Sequence, residues 1–513
     1  MNTNLRRQID RRKQHNAQRL DRWNLGDTSQ PVLGARNIHY QLAERAAGTA
    51  AGGIGAMHLL ACQLGLPEAI DRRLHLLKAH LPYHESDHVL SLAYNALCGG
   101  TCLEDLELRR QDAAWLDALG TPRIPDPTTA GDFCRRFRPQ HIDALQDVFN
   151  DTRRKVWARQ PAAFFTRATI DMDGTLVPTR GECKQGMDIS YNGIWGFHPL
   201  VVSLAETGEV LSIVNRSGNR PSHEGAAAEA DRVIELCLGA GFERVLLRGD
   251  TDFTQTTHLD RWDDDPRLRF IFGVDHMPNL WLLAEDLPQS AWKPLKRPPR
   301  YRVKTSTRAR PASTKQAIVE ARGFADIRLV DEQVAEFDYR PTACKKSYRL
   351  VVIRKNLRVR DKQGRLFDDY RYFFYITNDR ESSAAQIVFA ANDRCNQENL
   401  HAQLKGGVRA LVAPVDNLVS NWAYMVMTAL AWNLKAWYAL LLPEGRGRQA
   451  AAWREQKQTV LRMEFRTFGN YFLRLPCQVL KTGRRIVCRL LSWNRYQAVF
   501  FRFLDGLRRP LRC

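Results

Sequence analysis

Five carboxylates in this chain are spaced so that they could do chemistry together. Asp171 and Asp173 lie two apart in "ATIDMDGTLV". That run reads as a strand, so both side chains face one side. Asp250 and Asp252 close the apolar run "RVLLRGD", at what would be the C-terminal end of a second strand. Glu398 lies in a later helical segment. In open α/β sheets, ligands bind at such strand ends. Three carboxylate sites on three elements offer the hard oxygen donors that Mg2+ prefers. Two such ions about 3.5–4 Å apart can clamp the attacking and leaving oxygens of a phosphodiester. Taken singly, an Asp at a strand end is more often a turn or helix cap. The set, in a strongly basic chain, is what points to chemistry.

The Glu398 segment, "DRCNQENLHAQLKGG" from Asp393 to Gly407, reads as one helix closed by a Gly pair. Arg394, Glu398, His401 and Lys405 recur at spacings of 4, 3 and 4. At about 100° per residue they fall within roughly 60° of one another. The plain alternative is a solvated face, where an i,i+4 Arg–Glu pair adds only about 0.2–0.5 kcal/mol.

The elements that must position these residues follow from local pattern. "HPLVVSLA" and "VLSIVNRSG", joined at "ETGE", read as a hairpin. "GAAAEADRVIELCLGAG" reads as a helix ended by Gly239 and Gly241, "RVLLRGD" as a buried strand, "TQTTHLDRW" as a short helix and "RFIFGVD" as a further strand. The expected order is strand, strand, strand, helix, strand, helix, strand, which is an α/β fold. "SYRLVVIRK" and "YRYFFYIT" mark a β-rich stretch over 276–378, and helix resumes at Ser382. Residues 40–160 read as helical. Within them "DPTTAGDFCRRF" carries a Thr cap, Phe133 and Phe137 at i,i+4, and Arg135 and Arg136 between them. It reads either as a helix-turn-helix element or as part of a plain helical bundle.

Composition limits the classes further. With 44% hydrophobic residues in 513, a packed core is available. The net charge of +20 favours a polyanionic partner, above all nucleic acid. Glu444–Cys513 carries 16 Lys+Arg against 4 Asp+Glu, and Met1–Trp23 carries 7 Lys+Arg against 2 Asp, so the rest is close to neutral. Basic ends around a balanced middle suit a grip on DNA. The many aromatics after Glu444, from Trp453 to Phe503, argue against a disordered tail. The 11 cysteines show no paired framework or zinc spacing, so reduced, cytosolic thiols are expected. The basic N-terminus is not followed by an apolar run, so no signal peptide is expected. Trp422–Leu442 is long enough to span a bilayer, but Asn433 and Lys435 interrupt it, which predicts a buried core helix.

Two family patterns can be compared with these residues. "DMDGTLV" resembles the first motif of haloacid-dehalogenase-type phosphatases, with Asp171 as nucleophile and Asp173 as acid/base. That fold needs a helix after the first strand, whereas "CKQGMDISYNGIWGFHPLVV" is Gly-punctuated and β-like. The strand–hairpin–helix–strand–helix–strand order, the β-rich insertion and the Glu-bearing helix together resemble an RNase H-like DDE transposase. The likeness covers roughly Leu97 to Leu442 and is greatest to bacterial insertion-sequence enzymes with a β-strand insertion before the Glu. Their signature is Y-x2-R-x3-E-x6-K. Arg394, Glu398 and Lys405 match it, and Ala391 stands at the Tyr position. "IDMDGT" and "LLRGDTDF" resemble the two Asp motifs of the insertion sequence 1380 family.

The resemblance implies a catalytic and metal-binding triad of Asp173, Asp250 and Glu398. Asp173, rather than Asp171, precedes the small "GT", and Asp250, rather than Asp252, ends the apolar run. Arg394 and Lys405 would hold DNA phosphates, and His401 would either touch DNA or serve in packing or capping. Two Mg2+ ions are implied, with Mn2+ able to substitute. The partners would be transposon-end and target DNA, with a homodimer pairing two ends. The expected activity is binding of terminal inverted repeats, end cleavage and strand transfer, in a cytoplasmic, nucleoid-associated bacterial protein. An inactive DNA-binding relative is the further alternative. The implied layout is an N-terminal helical, DNA-binding region over 1–160, RNase H-like core over 161–275 and 379–443, a β-rich insertion over 276–378 and a basic helical C-terminal region over 444–513.

Overall fold

The computed structural model describes residues 3–24, 39, 47–80, 82–297, 314, 318, 321–322, 326–360, 366–445, 447–482 and 485–507. Most of 25–46 and 298–325, with 508–513, lies outside them, and so do parts of the expected N-terminal, insertion and C-terminal regions. The protein is a mixed α/β molecule with a large mixed sheet and many helices. It divides into two compact units. One comprises 165–173 and 221–396, and the other 1–164, 174–220 and 397–513.

The first unit is built on a sheet that changes from parallel to antiparallel. Ala168–Gly174 pairs in parallel with Val245–Gly249, which pairs in parallel with Leu268–Val274. Ile170, Leu247, Phe270 and Phe272 are fully buried. Such near-continuous apolar runs are typical of parallel strands covered on both faces. Leu366–Thr377 then adds antiparallel to Leu268–Val274, followed outward by Tyr348–Arg360 and Asp326–Tyr339. The helix Ala226–Gly239 feeds the central strand, and Gly241 at φ 102 turns the chain out of it. The helix Ala384–Asp393 sets Ile387 and Val388 onto a cluster of Leu246, Ile271, Val334, Val351 and Ile353. Ser383 and Gln386 form a reciprocal capping box at its start.

The second unit is organised around the 23-residue helix Leu418–Leu440, buried from Ser420 onward. It packs on the helices Glu85–Leu97 and Pro139–Trp157 and on the hairpin strand Glu209–Val214. Asn433 and Lys435, the interruptions that argued against a membrane span, are used internally. Asn433 exchanges two 2.9 Å bonds with the backbone of Val210, and Lys435 Nζ donates to the Leu461 carbonyl at 2.8 Å. Among the described residues no helix is long and apolar enough to cross a membrane.

The helix Pro127–Arg135 is capped by Asp126, not by a Thr. The Asp126 carboxylate accepts the Thr129 N–H at 2.9 Å. Phe133 and Phe137 are buried, and the helix packs on Glu85–Leu97 and Leu418–Leu440, as in a bundle. The two basic chain ends meet in this unit. Gly48–Thr49 pairs with Cys477–Thr482, and Arg12 of the helix Thr3–Asn24 donates to the Leu490 carbonyl at 2.6 Å.

Candidate active site

Asp173 sits at the end of the strand Ala168–Gly174, and Asp250 directly follows the adjacent parallel strand Val245–Gly249. Their carboxylates approach one guanidinium. Arg394 Nη1 lies 3.3 Å from Asp173 Oδ2, and Arg394 Nη2 lies 3.8 Å from Asp250 Oδ2. Asp250 keeps its position through the turn it caps, with Oδ1 accepting the Asp252 N–H at 3.1 Å. Gly249 lets that turn fold back, since a Cβ there would come within 2.5 Å of the Phe253 Cβ. Burial pushes the Asp250 carboxyl above its usual range. Arg394 opposes that, while Asp252 and Asp275 add to it. Asp252 itself is exposed.

The two rival acids therefore part company. Asp171 is buried and held in a fork by Arg248, Nε to Oδ1 at 2.7 Å and Nη2 to Oδ2 at 2.8 Å. A carboxylate clamped in this way is poorly placed to act as the nucleophile of a phosphatase. Sequence reasoning passed over Arg248. It also passed over Asp275, which follows the third parallel strand, Leu268–Val274, and adds to the field on Asp250. The strand-end rule that selected Asp250 would have found Asp275 too.

The segment Asp393–Gly407 is not one helix. Ala384–Asp393 ends at Arg394, a second helix runs Asn396–Ala402, and a π-helical turn Gln403–Gly407 follows. The backbone N–H of Arg394 bonds back to Ala391, and the Ala390 carbonyl instead accepts Arg248 Nη1 at 2.6 Å. The ideal-helix stripe therefore does not exist as drawn. Arg394 belongs to the unit that carries Asp173 and Asp250, while Glu398, His401 and Lys405 belong to the other. There, Gln397 Nε2 donates to the Val201 carbonyl at 2.8 Å and fixes the start of the second helix. Glu398 is exposed and Lys405 half-buried. His401 is buried.

The donors Asp173 and Asp250 are all oxygen, the chemistry of a hard divalent cation. Among the described residues no three His, Cys, Asp or Glu side chains gather as a metal site. Two carboxylates still fit Mg2+, which is commonly held by one or two carboxylates plus substrate phosphates.

Strand-end carboxylates around an arginine are an arrangement compatible with phosphoryl-transfer chemistry. The family follows from comparison. The chain belongs to the family described as Transposase DDE domain group 1, which it matches over residues 35–511. Among solved structures it is similar to the piggyBac transposase in its synaptic complex with hairpin DNA. The identity is 12% and the TM-score 0.36, over 82% of this chain and 84% of that one. No curated protein matches.

Proposed function

We propose that this protein is the DNA transposase of a bacterial insertion sequence of the 1380 family, with an RNase H-like core. It binds terminal inverted repeats, cuts at the element's ends and joins them to target DNA. The observation that carries this reading is the approach of Asp173 and Asp250 to one guanidinium at adjacent parallel strand ends, in a chain of the DDE transposase family.

Asp173, Asp250 and Glu398 are the catalytic and metal-holding acids. Two Mg2+ ions held there would neutralise phosphodiester charge and favour formation of the nucleophile. Arg394 and Lys405 hold separate phosphates near the cut bond, Arg394 with a planar fork and Lys405 as a point charge. The chain's own task is to bind, orient and screen charge, with no covalent bond between enzyme and DNA. The basic ends, gathered in one unit, supply affinity for the duplex. The working assembly is a homodimer pairing two ends in the bacterial nucleoid. The phosphatase alternative loses support because Asp171 is already clamped by Arg248.

The test is cleavage of end DNA by Asp173→Ala, Asp250→Ala and Glu398→Ala. Each should lose cleavage in Mg2+ and in Mn2+ while still binding DNA. Full cleavage by any one of them removes that residue from the triad.

A further inference from the structure

Arg248 lies two residues before Asp250, and Asp171 two residues before Asp173. The parallel register sets Asp171 and Arg248 directly opposite one another. Both guanidinium bonds to Asp171 are short, and the two side chains are 3% and 6% exposed. The third bond of Arg248 goes to the Ala390 carbonyl. That carbonyl lies in the last turn of the helix Ala384–Asp393, which Arg394 caps. A cation there satisfies a carbonyl the helix leaves open and complements the negative end of its dipole.

One arginine thus ties together three chain segments. Each carries a residue of the proposed site two to four positions further on: Asp173, Asp250 and Arg394. We propose that the Asp171–Arg248–Ala390 truss is a positioning element. It fixes the register of the two acid strands against each other and the end of the helix that presents Arg394. This rests on the transposase reading of the same site. Arg248 touches neither Asp250 nor Arg394 in this role. It acts through the strand and helix backbones. Removing either partner alone would leave an unpaired charge in a buried place. Lysine in place of Arg248 cannot hold both carboxylate oxygens and the carbonyl together, because it lacks the planar fork.

The experiment uses the full chain with two variants, Arg248→Lys and the apolar double variant Asp171→Leu/Arg248→Met. Three quantities are read: thermal midpoint, Mg2+ affinity of the DNA-free protein by calorimetry, and single-turnover cleavage of end DNA. The double variant should melt at or above the wild-type temperature, since an apolar pair can replace a buried ion pair without loss. Both variants should bind end DNA normally. Both should cleave about tenfold to a hundredfold more slowly, the cost of a misplacement near 1 Å, and bind Mg2+ more weakly. A merely structural pair would lower the midpoint and leave the Mg2+ affinity of the folded protein alone. Either variant folded, with wild-type Mg2+ affinity and wild-type rate, overturns the truss. Should the double variant not fold, Arg248→Lys decides. A wild-type protein that neither binds Mg2+ nor cuts end DNA instead removes the transposase reading, and the truss with it.

Discussion

A buried arginine–carboxylate pair stands in each unit, and the two are used differently. Arg153 and Glu209 are completely enclosed, with Nε to Oε1 at 3.0 Å. Glu209 also accepts Trp157 Nε1 at 2.9 Å, Trp437 Nε1 at 2.8 Å and Thr207 Oγ1 at 2.7 Å. Every lone-pair direction is turned inward, onto two helices and a hairpin. The Arg248–Asp171 pair is as short, but the chain runs two residues beyond each partner into half-open acids. The first pair closes a core. The second stands directly behind a surface where charge stays available. Similar chemistry therefore says little about role until the next residues along each strand are considered.

The largest effect should separate the two pairs by stability. Glu209→Ala strands the Arg153 charge and unpairs two indole N–H groups. Breaking a buried pair in this way costs about 3–5 kcal/mol. Urea unfolding should register that loss, while whatever folded protein remains should keep its Mg2+ affinity. A lowered Mg2+ affinity would erase the contrast.

Lys435 is a further buried charge in that unit. Its ammonium has the Leu461 carbonyl and the Trp432 ring, 4.2 Å away, and burial pulls its pKa down to about 7. The unfolded chain holds this proton up to the ordinary lysine range. The cost to the fold is therefore complete below about pH 7 and fades as pH rises toward 10. Lys435→Met should stabilise the protein on the order of 1–4 kcal/mol at pH 6 and by little at pH 10. Unfolding curves at both values check it, and an equal gain at both would mean that burial leaves the lysine pKa where it is in the unfolded chain.

The basic residues of the proposed site should respond to ligand rather than to the fold. Arg394→Ala and Lys405→Ala should each lower the log–log salt slope of end-DNA binding by up to about 0.9. Arg394→Lys should recover only part of the affinity. Unchanged affinity and slope in both alanine variants would return these residues to ordinary surface charges, whose loss costs only a few tenths of a kcal/mol in stability.

The smallest effect is on Asp250. Its carboxyl is raised above the usual range, so ionising it favours the unfolded chain. That penalty sets in as pH climbs from the ordinary carboxylate range through the raised value and is then constant. Asp250→Asn should raise the melting temperature at pH 7, by on the order of 1–2 °C. The gain should vanish in acid. A lower midpoint at pH 7 would show that the Arg394 contact outweighs burial.

Local periodicity and turn chemistry located the strands at Ala168, Leu200, Glu209, Val245 and Leu268, the helix Ala226–Gly239, and the burial of Trp422–Leu442. These are properties of neighbours along the chain, where a two- or three-residue repeat decides which face is apolar. Strand-end position and spacing also brought forward Asp171, Asp173, Asp250, Asp252 and Glu398, and the family resemblance chose Asp173, Asp250, Glu398 and Arg394. The clamp on Asp171 is of another kind. It depends on Arg248 lying opposite Asp171 in a parallel register, a pairing between residues 77 positions apart. The break between Arg394 and Asn396 also escaped, because an ideal helix assumes every carbonyl bonds along its own axis. Here Arg248, from a strand 142 residues earlier, takes the carbonyl of Ala390. Local pattern determined which residues could do chemistry. Only the long-range register decided which of them are spent holding the others in place.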